Sequence, residues 1–171
     1  MSKAALKKAL KEIDRDGLAE IICEMYDARP EAKEYLEFWI NPDVDKELDK
    51  YKQKIFKLFF ISEGKPRKSP GFTDIKTRVK YFTSLCVDYE KTADLMLYIL
   101  DIYLLWLMER RHVLTHKPRV EKFLDETTVY LENHGLEHLY SLRLERLRND
   151  LEEIFERGDK PTRRDWGRWW R

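Results

Sequence analysis

Four histidines and a few carboxylates are the side chains whose types and spacing could do chemistry. The histidines fall in two pairs four residues apart, His112/His116 and His134/His138. On an unbroken helix Glu109, His112 and His116 (i, i+3, i+7) share one face, as metal ligands on a helix must. Such a site would suit a metal-dependent hydrolase. Pro118, however, puts His116 at or beyond a helix end, and Gly135 splits the second pair. A di-iron bundle needs two Glu-x-x-His units, and only Glu109-Arg-Arg-His112 fits that pattern. Histidine near a helix C-terminus also has a simpler role, because its cation suits the negative end of the helix dipole. Asp94 and Asp101, seven apart, share a face with Glu90 and Tyr98. An acid pair in a pocket could do general acid/base work, whereas the same stripe could be the one solvated side of a buried helix.

Other chemistry is excluded more directly. Glu63-Gly64-Lys65-Pro66 lacks both the upstream Gly and the Ser/Thr of a phosphate-binding loop. Ser62, Ser69, Ser84 and Ser141 lie in no nucleophile-elbow motif. Cys23 and Cys86 each sit beside apolar neighbours and fit no zinc or redox spacing, so they read as small buried hydrophobes in a reducing cytosol. No catalytic residue, metal ligand or cofactor is assigned, and a binding role is expected over an enzymatic one.

Charge and aromatic residues point to binding. The 171 residues hold 33 basic and 32 acidic side chains, but unevenly. Residues 61–80 carry six basic against two acidic, residues 158–171 carry five against two, and residues 81–157 carry ten against fifteen. Lys65, Arg67 and Lys68 lie in the first basic segment; Arg163, Arg164 and Arg168 lie in the second, interleaved with Trp166, Trp169 and Trp170. Arginine with tryptophan can hold phosphates while stacking bases. The same composition suits a protein groove, and large aromatics can equally fold back on their own core or against a second subunit.

These segments must be positioned by helices. Few Gly and Pro, with many Leu, Glu, Lys and Arg, favour α-structure, and no alternating strand pattern is present. Ser2 is a candidate N-cap for a helix carrying Leu6, Leu10 and Ile13, which Asp14 to Gly17 then breaks. Leu18, Ile21, Ile22 and Met25 mark a second helix. Pro30 opens a third, which Asn41-Pro42 ends. Leu48, Tyr51, Ile55 and Phe59 line a fourth. Residues 61–71 hold two Pro and two Gly and read as a linker. Thr73 or Asp74 caps a fifth helix, and Glu90 to about Arg111 forms a long apolar sixth, interrupted by Asp101 and too short to cross a bilayer. A break at Pro118 precedes a helix from Val120 to Asn133; His134-Gly135 stops it. Leu136 to Arg157 is the last helix, with Leu139, Leu142, Leu147, Leu151 and Ile154 as its apolar positions.

The expected fold is therefore all-α, with seven to eight helices in antiparallel hairpins. The expected organisation is a four-helix lobe over 1–60, a Pro/Gly/basic linker over 61–72, a helical lobe over 73–158 and a Trp/Arg-rich tail over 159–171, with the two lobes either separate or sharing one core. Four stretches carry a resemblance: Ser2-Lys-Ala-Ala-Leu-Lys-Lys-Ala-Leu, Glu24-Met-Tyr-Asp-Ala-Arg-Pro-Glu-Ala-Lys-Glu-Tyr-Leu-Glu-Phe-Trp-Ile-Asn-Pro-Asp43, Lys65-Pro-Arg-Lys-Ser69 and Ala93-Asp-Leu-Met-Leu-Tyr98. Together they resemble a bacterial family of small helical proteins, a domain of unknown function, over most of residues 1–110. The resemblance implies a helical fold in a bacterial cytoplasm and brings no activity, cofactor or site residue. The expected function is a helical protein–protein interaction or scaffold protein, with an unidentified protein or a second copy as partner and no membrane association. The alternative is a nucleic-acid-binding accessory protein using the basic linker and the Trp/Arg tail.

Overall fold

The computed structural model describes residues 1–61, 64–85 and 88–159. Among them are eight α-helices, a short 3₁₀ turn and no strand, so the fold is all-α. The chain divides into two units, Met1–Asp43 and the described residues from Val44 onward.

The first unit holds α1 (Lys3–Leu10), α2 (Arg15–Ala28) and α3 (Pro30–Ile40). Ser2 caps α1, its hydroxyl accepting from the Ala5 N–H at 3.2 Å. Asp14 to Gly17 breaks the chain for less length than the sequence suggests. The Asp14 carboxylate accepts from the Gly17 N–H at 2.8 Å, so α2 starts at Arg15 and Gly17 lies inside its first turn. Pro30 opens α3, where its missing N–H costs no helical hydrogen bond. The helices α2 and α3 pack on each other, and the Tyr26 hydroxyl donates to Glu37 at 2.9 Å.

The second unit holds α4 (Val44–Phe59), α5 (Phe72–Leu85), α6 (Tyr89–Met108), α7 (Lys117–Asn133) and α8 (Glu137–Arg157), with the 3₁₀ turn at Leu114–His116. Helix α6 is apolar nearly all round, which forces burial on several sides. It packs against α4, α5, α7 and α8, and Leu95, Leu97, Ile99, Leu100, Trp106 and Leu107 are fully enclosed. Asp88 caps α6 by accepting from the Lys91 N–H at 3.0 Å. Helix α4, read from sequence with the first three, packs against α5 and α6.

Three sequence expectations change. Pro118 does not precede α7 but sits in its first turn, so the helix begins at Lys117. Leu139 and Leu142 are exposed, because α8 turns the face of Leu147, Leu151 and Phe155 inward instead. Cys23 is exposed, since no side chain of α1, α2 or α3 is buried; Cys86 lies outside the described residues. No helix among the described residues is long and apolar enough to cross a membrane.

Candidate functional site

The acid pair of α6 is held by cations from two other helices. Asp94 accepts from Lys52 of α4 at 2.7 Å and from Arg143 of α8 at 2.9 Å, and the other arm of Arg143 reaches Asp101 at 2.6 Å. Burial alone would raise the Asp94 pKa, but the hydrogen bonds from Lys52 and Arg143 outweigh it and hold the carboxyl below its ordinary value. A carboxylate held ionised between two cations makes a poor proton donor. The network instead ties α4 and α8 to one face of α6. Neither reading made from sequence, an acid/base pair or a solvated stripe, anticipated Lys52 or Arg143.

The proposed metal triad does not assemble. Helix α6 ends at Met108, so Glu109, His112 and His116 do not share a helix face. The His112 ring lies 3.2 Å from the Asp159 carboxylate, and the His116 ring stands edge-on to Trp106 at 4.8 Å. Among the described residues no three His, Cys, Asp or Glu side chains gather as a metal ion would require. The second histidine pair is likewise split, with His134 stacked on Tyr89 at 4.0 Å.

What gathers instead is a basic corner around Trp106. Gly64, at φ 72°, allows a tight reversal in which Ile61 N–H donates to the Lys65 carbonyl at 2.9 Å. Arg67 is then fixed twice: its N–H donates to the Phe59 carbonyl at 2.7 Å and its Nε to the Lys57 carbonyl at 2.7 Å. The Arg67 carbonyl accepts from the Trp106 ring N–H at 2.9 Å, so the basic segment is stitched to the end of α6. One turn further on, the Arg110 guanidinium lies over the Trp106 ring at 4.4 Å. Its Nε and Nη2 are enclosed and have no hydrogen-bond partner among the described residues. Burial lowers the His116 pKa, and the nearby charges of Arg119 and Arg110 lower it further.

The root of the tail meets the same corner. The Asp159 carboxylate accepts from the Val113 N–H at 2.7 Å and the Leu114 N–H at 3.1 Å. The Leu114 N–H foremost, with His112 and the Val113 N–H, holds its pKa below the ordinary value. Of the sequence candidates, Lys65, Arg67 and Lys68 are exposed on this corner's connecting segment. Arg163, Arg164, Trp166, Arg168, Trp169 and Trp170 lie outside the described residues. Sequence reasoning missed Trp106, Arg110 and Arg119. Trp106 and Arg110 are close in sequence, but α6 ends at Met108, so helical spacing does not account for the cation over the ring.

A second feature lies in the first unit. Ile22 and Met25 of α2 and Tyr35, Trp39 and Ile40 of α3 are exposed, Trp39 at 71% and Ile40 at 74%. The pair therefore fixes its own geometry through Tyr26 and Glu37 yet leaves its largest apolar side chains uncovered. The model of a family of unknown function, DUF6155, matches residues 1–156. No curated protein and no solved structure matches the chain.

Proposed function

The chain belongs to the DUF6155 family of unknown function, and from that premise we propose that it is a helical interaction protein that works by binding and not by catalysis. The observation that carries this reading is the uncovered apolar face of α2 and α3. Large apolar side chains left exposed together on one helix pair mark contact surfaces more often than they are left in water. A packed helix pair with one apolar side open is half of a four-helix arrangement, and a second copy of the chain supplies the other half. In this reading the protein acts in a bacterial cytoplasm, where the exposed Cys23 thiol stays reduced. The expected outcome is a pair of chains at micromolar concentration, read by light scattering after size exclusion. A single-chain mass throughout that range would overturn the self-association.

A second reading is favoured by the basic corner. Residues 65–68 and Asp159, far apart in sequence, are both anchored at the corner of Trp106 and the 113–116 turn, and a basic run, 160–171, follows Asp159 in the sequence. This arrangement supports contact with a nucleic-acid backbone through the exposed Lys65, Arg67 and Lys68, extended by Arg163, Arg164 and Arg168 with the stacking rings Trp166, Trp169 and Trp170. Fluorescence anisotropy of labelled single- and double-stranded oligonucleotides tests it. Affinity should fall steeply with salt and drop again in Arg163→Glu, Arg164→Glu, Arg168→Glu. Absence of binding at low salt removes this reading.

A further inference from the structure

Helix α1 has the make-up of a helix that packs on something, yet its own unit gives it little cover. Leu6 and Leu10, four apart, form an apolar seam, with Leu6 43% exposed. Lys3 and Lys7 run beside that seam, and Lys8 and Lys11 bring residues 3–11 to four basic side chains and no acidic one. At eight residues α1 is shorter than the about 12–15 residues below which an isolated helix is marginal in water. Helices α2 and α3 pack on each other, whereas α1 packs comparably on neither. The corner behind it is tight. Only residues 11–14 separate α1 from α2, and a Cβ at Gly17 would come within 2.8 Å of Ile13 and 2.9 Å of Asp14.

The α2–α3 pair has the complementary make-up. Ile22 and Met25 share one face of α2, Tyr35 and Trp39 share one face of α3, and all four are exposed. Residues 15–40 carry seven acidic and three basic side chains, net −4 against the +4 of residues 3–11. Asp16 and Glu31 stand in the first turns of α2 and α3, and Glu31 lies one turn before Tyr35. Helix α1 is about 12 Å long and α3 about 17 Å, so the seam fits along α3.

We propose that helix α1 of each copy lies along the α2–α3 pair of a second copy, with Leu6 and Leu10 against Tyr35 and Trp39 and its lysines beside the acidic residues of that pair. The exchange is reciprocal about a two-fold axis, so each contact occurs twice. It covers apolar side chains that both elements leave open within one chain, and opposite charge favours the basic α1 as the element that docks. This exchange rests on the self-association proposed for the α2–α3 face and specifies which element of the second copy covers it.

Charge reversal in the full chain tests it, with mass read by sedimentation equilibrium and parental helicity checked by circular dichroism. One variant carries Lys3→Glu, Lys7→Glu and Lys11→Glu; the other carries Asp16→Lys, Glu20→Lys and Glu31→Lys. Each alone should pair roughly tenfold more weakly than the parent, as three exposed ion pairs of a few-fold each would give. Their equimolar mixture should recover the two-chain mass, because the acidic α1 of one then meets the basic pair of the other while the converse contact is unchanged. Lys57→Glu, Lys80→Glu and Lys122→Glu, an equal change of charge in the second unit, should pair like the parent. Parental pairing by either variant alone, no recovery in the mixture, or an equal loss in the second-unit variant would overturn the exchange and leave the self-association standing. A parent that stays at one chain removes the self-association and the exchange with it.

Discussion

Trp39 and Trp106 are the same side chain with opposite fates. Trp106 is 0% exposed, packed edge-on by Phe59 and Tyr103, and its ring N–H is satisfied by the Arg67 carbonyl. Trp39 is 71% exposed. The difference belongs to the two units and not only to the two residues. From Val44 onward, α6 gives every neighbouring helix an apolar surface to cover, and a core results. In Met1–Asp43 three short amphipathic helices bury no side chain. Stability is therefore concentrated in the second unit, and apolar surface available for binding in the first.

The largest test of this contrast is a matched pair of truncations. Trp106→Ala should cost about 3–5 kcal/mol, because it opens a cavity and strands the Arg67 carbonyl. Trp39→Ala, in a site open to water, should move stability by less than about 0.5 kcal/mol. Chemical denaturation followed by circular dichroism compares them, and equal losses would erase the contrast.

A smaller effect is expected at the charge network of α6. Arg143→Met leaves Asp94 with Lys52 alone and removes the hydrogen bond to Asp101; with all four groups partly solvated, the loss should be about 1 kcal/mol at neutral pH. The Asp94 pKa is lowered in the folded protein, so its contribution is present above pH 3.8 and disappears as pH falls through the folded value. The variant and the parent should therefore converge in stability under acid. Denaturation at pH 7 and pH 3 reads both points.

The smallest effect is at the basic corner. His116 has a pKa lowered from 6.5 by burial beside two arginines, so the folded state resists its protonation. Stability should be undiminished above pH 6.5 and decline below it, by under about 1 kcal/mol. His116→Gln should flatten that decline. A thermal-melt series from pH 7.5 to pH 5 would show it.

The helices were legible because their signals are local. Ser2, Pro30, the apolar run of α6 and His134-Gly135 each mark a boundary within a few residues. Two boundaries shifted for equally local reasons, since Asp14 and Pro118 start helices that they were expected to precede. Which face turns inward was less legible. Leu139 and Leu142 are as apolar as Leu147 and Leu151, and only the position of α7 and α6 decides between them. The site was legible only in part. Arg67 could be picked out by its basic neighbours, but its place against Trp106 joins residues 39 apart in sequence. Arg143 and Asp94, 49 apart, meet for the same reason. The histidine triad misled because it assumed a helix continuing past Met108.

The central claim, that the α2–α3 face is a contact surface for a second copy, is tested most directly by sedimentation equilibrium of the full chain over a concentration series. Three proteins should be compared: the parent, Trp39→Asp with Ile40→Asp, and Leu142→Asp, whose α8 side chain is 82% exposed and lies in the other unit. The expected result is a mass rising to two chains in the parent and in Leu142→Asp, and staying at one chain in Trp39→Asp, Ile40→Asp. A parent that stays at one chain, or an α2–α3 variant that still pairs, would contradict the account.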